Sequence, residues 1–517
     1  MFAALQPIRR NPSRQRVAQG FSLPAPVGGL NAVDSITDMD EKDALVLENW
    51  FPEPSEVRIR RGFEAHATGI SGAVTSLMEW AGPATRKLFG ANTSAIYNVS
   101  SPGAVGAADL SGLSNGRWQH TMMATSGGNF LVICNGADSV RNYDGTSWTT
   151  PAITNVTSST LSNVAVHKNR LWFVQVGTTD AWYLGINSIS GAATKFPLGP
   201  LFSLGGRLVV IATWTRDGGS GPDDFIAFIS SLGEIAVYQG SDPSDPDAWA
   251  LVGVYRVGPP IGNRCVLRTG ADLGVISKDG VVSLTRMIGT DRSASPLAAI
   301  THKISKLFNE DARAYDGNFG WQGLSYPRAN QAIFNVPSAE GATSHQYVMN
   351  TITGAWCKFT NQNAGCWALF NDQLYFGGND GVVYLADSGF QDDGEAISAS
   401  MKTSFSYYKS RGRLKLFKML RPIIGSTGSP ALLVDMNVDF EDAEPTQALT
   451  PAPATGAVWD SALWDSGVWG SGETITRGWL GVGRMGMAAA IRLRASVNGA
   501  SLTLHSFDAM AEVGGLA

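Results

Sequence analysis

Between Asn169 and Arg264 the chain alternates short β-branched and aromatic runs with clusters of Gly, Asp, Ser and Pro, and no other feature limits its fold as tightly. The runs are Leu171–Val174, Ala181–Leu184, Leu208–Trp214, Phe225–Ile229 and Ile235–Tyr238. Runs of this length and type, so punctuated, read as strands closed by tight turns. No part of the stretch has the period of an amphipathic helix, and no Ser, Cys or His stands in a nucleophile motif. So regular a segment with so little reactive content suits a surface that assembles rather than one that catalyses.

The same pattern recurs along the chain. LFGANTSAIYNV from Leu88, LVICNGADSVRNYDG from Leu131, LWFVQVGTTDAWYL from Leu171 and FIAFISSLGEIAVY from Phe225 each place a turn cluster between two apolar runs. LGVISKDGVVSL from Leu273, AIFNVPSAEGATSHQYVMN from Ala332 and LYFGGNDGVVYLAD from Leu374 continue the series. Successive starts lie roughly 40 to 60 residues apart, the range of a four-stranded propeller blade. Each reads as a hairpin, with Asn135-Gly136, Asp279-Gly280 and Asp380-Gly381 as turn pairs. The expected fold is all-β, with a propeller-like body of short antiparallel hairpins across 28–395.

The two ends differ from this body. Residues 1–27 carry Arg9, Arg10, Arg14 and Arg16 bracketed by prolines, with no acid in the first 20. They read as an extended basic arm, either a frayed end or an anchor for an acidic neighbouring subunit. Asp40–Asn49 (DEKDALVLEN) is the best short helix candidate, with acids in its first turn and Pro52 and Pro54 beyond it. Val57–Phe63 then alternates as a half-solvated strand. Across 396–517 the runs Ser398–Tyr408, Leu414–Ile424, Ala431–Phe440, Ala489–Ser496 and Ser501–Met510 are longer and alternate with period two. They predict a C-terminal antiparallel sandwich or sheet. Between them Trp459, Trp464 and Trp469 recur every five residues. That spacing fits neither helix nor strand, so the rings pack a wrapped loop or meet another subunit.

Composition closes off several functions. At 517 residues the chain is longer than one core usually covers. With 59 glycines and only 16% charged residues, tight turns dominate over exposed helices. A net charge of -5 argues against a general nucleic-acid binder, while an acidic wall would let DNA slide past. Cys134, Cys265, Cys357 and Cys366 form no CxxC pair and read as small buried hydrophobes, and the six His are isolated. No apolar run reaches the roughly 18 residues of a membrane span, and the N-terminus lacks a signal-peptide core. The expectation is a protein made without Sec export.

The motifs that invite a chemical reading each miss a required part. Gly481–Gly486 matches GxGxxG but has no preceding buried strand and no following helix. Tyr143–Trp148 resembles an aspartate box, yet its Asp144 and Gly145 are adjacent, which leaves a hairpin turn with a packed Trp. Asp34, Asp38, Asp40 and Asp43 lack the glycine and closing Glu of a calcium loop. Asp242, Asp245 and Asp247 sit in a Pro-rich turn. No catalytic, cofactor-binding or metal-ligating residue emerges.

The order GGLN (Gly28–Asn31), NWFP (Asn49–Pro52) and RRGF (Arg60–Phe63) resembles the opening of tail proteins of tailed bacteriophages. So do Arg170–Gly199, Trp214–Pro243, Val252–Arg264 and Asp272–Leu284. The chain looks most like the nozzle proteins of short-tailed phages, the tail tubular protein B-like or packaged-DNA stabilisation family, over roughly residues 28 to 290. That resemblance implies a structural virion protein, assembled in the host cytoplasm, with no catalytic residues to transfer. It implies a homo-oligomeric ring, typically a hexamer, below the portal and a tail adaptor protein, with tail fibre or tip proteins as further partners. Double-stranded phage DNA would pass through the ring without sequence-specific binding. In this setting Arg9, Arg10, Arg14, Arg16, Trp459, Trp464 and Trp469 are the candidate subunit or adaptor contacts. The alternative is a tail-tip receptor-binding or lectin-like propeller module.

Overall fold

The computed structural model describes residues 18–217, 222–269, 272–287, 299–451 and 473–516. Six of the hairpin units form the middle of one antiparallel blade each, and the one from Leu273 supplies the second and third strands of a three-stranded blade. The innermost strands of the blades are Ser76–Ala81, Gln119–Thr125, Leu161–His167, Leu208–Asp217, Val266–Thr269, Gln322–Tyr326 and Ala364–Phe370. Each blade packs against the next, and the last returns to the first, so the ring is closed. Six blades are separate sheets, and the sixth in chain order is the four-stranded end of a ten-stranded sheet.

Closure uses a strand from the beginning of the chain. Gly62–Thr68 pairs antiparallel with Val383–Ser388 and becomes the outer strand of the seventh blade. Apolar faces of neighbouring blades then meet in local cores. Between the first and second, Trp80, Phe89, Trp118 and Tyr143 are buried together. Between the third and fourth, Trp172 stacks on Trp249 with centroids 5.6 Å apart, beside Phe228. Such rings fill the wedge between twisted sheets with few residues, which is where much of the tryptophan surplus goes.

The C-terminal strands form a sandwich, as their period-two alternation predicts. One layer is built on Arg413–Ser426 paired with Leu502–Leu516, with Thr474–Thr476 and Leu480–Gly486 beside it. The other runs Ile397–Thr403, Ala489–Val497, Ala431–Val438 and Gln447–Leu449. Phe417, Leu420, Met401, Met436, Ile491 and Phe507 are buried in the core they share.

Residues 19–59 depart from the expected domain order. Gln19–Pro24 lies on Leu502–Leu516, and Asp43–Glu48 pairs with Ile397–Thr403. The propeller therefore starts at Gly62 rather than at 28, and the segment before it completes the sandwich. The expected helix over Asp40–Asn49 is also corrected, because Asp43–Glu48 is a strand. Its acid-rich start is a turn in which Asp40 Oδ1 accepts from the Lys42 N–H at 2.8 Å. The Ala-Leu-Val-Leu run sits between two neighbouring strands of a sheet, a setting that overrides helix propensity. Through Gly29–Leu30 and Asp43–Glu48 the outer strand of the sixth blade, Trp356–Phe359, continues into the sandwich as one sheet. No helix among the described residues is long and apolar enough to cross a membrane.

Candidate binding site in the propeller channel

Three short motifs in the opening of the chain converge on the joint between propeller and sandwich. Arg60 is sunk there with Asp392, both side chains 1% exposed. The pair is bidentate: Nη1 donates to Oδ1 at 2.8 Å and Nη2 to Oδ2 at 2.6 Å. The remaining donors are used as well, Nε on Asn49 Oδ1 at 2.8 Å and Nη2 on the Thr360 carbonyl at 2.9 Å. Asn49, at φ 59, also donates from Nδ2 to the Ser398 carbonyl at 2.7 Å, which reaches the sandwich. Gly62 is required beside them, since a Cβ there would lie 1.7 Å from the Gln391 carbonyl oxygen. In the GGLN motif Gly29 has φ 82 and a Cβ would come within 2.6 Å of Trp356 backbone atoms. Asn31 Nδ2 donates to Asp43 Oδ2 at 2.7 Å, and Lys303 holds the other oxygen of Asp43 at 2.6 Å. The side chains of Asn31, Asn49, Arg60 and Asp43 are all partnered here, so these polar groups fasten propeller to sandwich; the Trp50 indole N–H beside them is buried without an acceptor.

The centre of the propeller is different. The inner strands enclose a cavity of about 290 Å³. Its titratable lining groups are His120, Arg264 and Arg268, with no Asp or Glu among them. Arg264 comes from the loop before the fifth blade. Its Nη2 donates to Ser76 Oγ at 2.6 Å and to the Thr75 and Trp118 carbonyls at 3.1 Å each. Its Nη1 is buried and has no partner. Gln119, 9% exposed on the inner strand of the second blade, also keeps its Nε2 buried without an acceptor. Arg268, farther along the fifth blade, donates to Thr213 Oγ1 at 2.9 Å. Desolvation lowers the pKa of both arginines. His120 is exposed to the narrow channel but ringed by protein atoms on all sides; desolvation, and then the charge of Arg264, push it down to about 4. It is neutral at pH 7, so the positive charge of the channel belongs to the two arginines.

One mouth of the channel widens to a cavity of about 670 Å³ that shares Asn263 with the centre. Phe319 lies across this mouth, with the Arg117 guanidinium 4.5 Å and that of Arg264 5.1 Å from its ring centroid. Glu340 fixes the arrangement, taking Arg117 Nη2 at 2.6 Å on one oxygen and the Phe319 N–H at 2.9 Å on the other. Arg207 and Lys278 line the same mouth, the latter paired with Asp316.

Elsewhere the chemical groups are absorbed by structure. All four cysteines are buried and free, and desolvation raises each thiol, Cys265 to about 12 and Cys366 to about 11. His345 and Tyr347 both contact Asp311 Oδ2, at 2.9 and 2.6 Å, tying the helix Ser305–Tyr315 to the sixth blade. Gly481–Gly486 lies in a strand. Asp144 closes the turn before Trp148, as the sequence reading expects; the Ser147 N–H first among its bonds draws its carboxyl down to about 2. Among the described residues no group of three His, Cys, Asp or Glu could hold a metal. The expected contacts Arg9, Arg10, Arg14, Arg16, Trp459, Trp464 and Trp469 lie outside the described residues.

Sequence reasoning missed the channel set. Gln119, His120, Arg264 and Arg268 share no motif, and only ring closure brings the second and fifth blades face to face. A usable signal was a polar or charged residue just before or within an innermost strand, as at Gln119, His120, Arg264 and Arg268.

No protein-family model matches the chain, and no curated protein matches it. Solved propeller structures do resemble it in shape. The β-propeller domain of Cps50 (Swd1) from Myceliophteria thermophila has a TM-score of 0.40 at 12% identity, covering 62% of this chain and 99% of its own. BBS1N, solved in complex with ARL6DN, has a TM-score of 0.39 at 9% identity over 63% of this chain and 98% of its own. YCF48 bound to D1 peptide has a TM-score of 0.36 at 10% identity, covering 63% of this chain and 94% of its own.

Proposed function

We propose that this chain is a structural, non-catalytic subunit of a short-tailed bacteriophage tail, a nozzle-type protein that joins copies of itself into a ring. The order of the GGLN, NWFP and RRGF motifs supports this reading. DNA would pass through the lumen between subunits. A 290 Å³ cavity inside one propeller has the size of a small-molecule site and cannot admit a duplex.

The observation that carries assembly is the outer edge of the fourth blade. Its strand Trp249–Arg256 is eight residues long and pairs on one side only. Leu251 and Val252 are each 42% exposed and Val254 is 38% exposed. The outer strands of the first and second blades are two residues each, and those of the sixth and seventh are covered by further strands. A long apolar edge left bare is a template for pairing with another chain. A second bare edge, Leu480–Gly486 in the sandwich, lies beside exposed Ile475, Trp479 and Met485. Two different edges on one rigid body suit a heterologous contact, which closes into a ring by rotation.

Mass photometry and negative-stain averaging of the purified protein test this. A closed ring is expected, with Val252→Lys plus Leu251→Glu giving a folded monomer. A wild-type monomer at every concentration, missing from purified virions, overturns the nozzle reading. If that monomer competes with phage adsorption to host envelope, the tail-tip binding module replaces it.

A further inference from the structure

We infer that the propeller channel is a binding site for a small oxyanion, a carboxylate or phosphate group held between Arg264, Arg268 and the amide of Gln119. The site is built from three parts of the chain that ring closure alone brings together. Its cavity is lined by two arginines and by no carboxylate. Neither arginine has an ion-pair partner among the described residues. Two donors, Arg264 Nη1 and Gln119 Nε2, are buried with nothing to accept from them.

A folded protein rarely leaves such donors idle, because each buried, unsatisfied polar group costs roughly 1–3 kcal/mol. Arg268 is exposed to the channel and Arg264 half-buried, so the penalty falls on the enclosed Nη1 side of the Arg264 guanidinium, which has lost hydration with no opposite charge to replace it. At the joint Arg60 is satisfied by Asp392, Asn49 and the Arg61 and Thr360 carbonyls. Buried donors without a partner occur elsewhere too, as at Arg492 and several Trp Nε1, but in the channel two of them line one cavity that has no carboxylate. An oxyanion supplies what is missing: negative charge, and several lone pairs for N–H groups arriving from different directions. Neutral His120 adds no charge of its own and can donate from its ring N–H. At the wide mouth Arg117 is neutralised by Glu340 and Lys278 by Asp316, while Arg207 has no ion pair among the described residues, which leaves one positive charge to favour entry of anions.

Arg264 is fixed by three bonds to Thr75, Ser76 and Trp118, so it is a preformed half of the site. Arg268 makes one bond and is free to close on a ligand. The volume suits a single small anion such as phosphate or a dicarboxylate of a few carbons.

Thermal unfolding and calorimetric titration of the full chain with inorganic phosphate, and separately with succinate, test the site. Sodium chloride at matched ionic strength is the control. A saturable stabilisation by at least one of the two anions, absent with chloride, is expected, and the stronger of the two identifies the preferred oxyanion. Arg268→Met should weaken binding by about tenfold or more, the loss of one charge-assisted pair. Gln119→Leu should weaken binding while leaving the anion-free protein as stable as wild type or more so, because it removes an amide nitrogen without a partner. These two variants carry the test if Arg264→Met does not fold. A response equal to that of chloride, or one unchanged by Arg268→Met and Gln119→Leu, overturns the proposal. Ring assembly is read separately and does not bear on this outcome.

Discussion

Arg60 is sunk at the joint between propeller and sandwich, and Arg264 is half-buried in the propeller channel with its Nη1 fully enclosed. Around Arg60 every donor meets an acceptor, and the carboxylate of Asp392 takes two of them. Around Arg264 one nitrogen is shared among three acceptors, another has none, and no carboxylate among the described residues lines the cavity. The first arrangement is what a fastening requires: complete, dry and specific in geometry. The second is a site with part of its shell unfilled. Burial of a charged side chain thus says little by itself about function. Whether its partners are complete separates the pin from the pocket.

Removing a charge at the joint gives the largest expected effect. Asp392→Ala leaves the Arg60 guanidinium buried and unpaired, a loss of about 3–5 kcal/mol in urea unfolding. Replacing both partners together, Arg60→Met with Asp392→Leu, should recover much of it, since the orphaned charge is gone. If the single and double variants unfold alike, the pair is not the fastening described above. Gly62→Ala comes next. Its Cβ must displace the Gln391 carbonyl, and overpacking of this kind costs about 1–3 kcal/mol. Gly72→Ala, where nothing lies within 4 Å but φ is 77, separates a clash from backbone strain alone.

In the channel the same arginine truncation should cost less. Arg264→Met loses bonds to three acceptors but orphans no carboxylate, so about 1–2 kcal/mol is expected in the same unfolding measurement. A loss as large as that of Asp392→Ala would mean that the channel, too, is a fastening. Parity of the two would erase the contrast between them.

The contrast was unevenly legible in the sequence. Turn punctuation around Leu88, Leu131, Leu171, Phe225, Leu273, Ala332 and Leu374 marks one hairpin in every blade, because strands joined by a tight turn are set by local patterning. The innermost strands and the channel are set by ring closure, a long-range event that leaves no local trace, so Gln119 and Arg264 look like any polar residue beside a strand. At the joint, Asn49, Arg60 and Gly62 stand in motifs whose order is recognisable although their role was not. Residues 40–49 misled because acids before an apolar run mark a helix start and a turn alike, and two of the strands that flank Asp43–Glu48, Trp356–Phe359 and Ile397–Thr403, come from far away in the chain.

The smallest expected effect is a pH slope that belongs to the channel alone. His120 has a folded-state pKa of about 4, against an ordinary value of 6.5. Between these values the unfolded chain binds a proton that the folded one refuses, so stability rises with pH there. The stabilisation is fully present above about pH 6.5 and is lost as pH falls toward 4. His66 and His167 are lowered by burial in the same direction, so the wild-type slope is shared among several residues. Unfolding free energies of the wild type and His120→Asn, taken at intervals from pH 7 to pH 4, isolate one of them. The variant curve should be flatter over that window, and the two should run parallel above it. Curves that stay parallel throughout would mean that His120 titrates as a solvated ring and that the channel is wetter, and its arginines better hydrated, than their missing partners suggest.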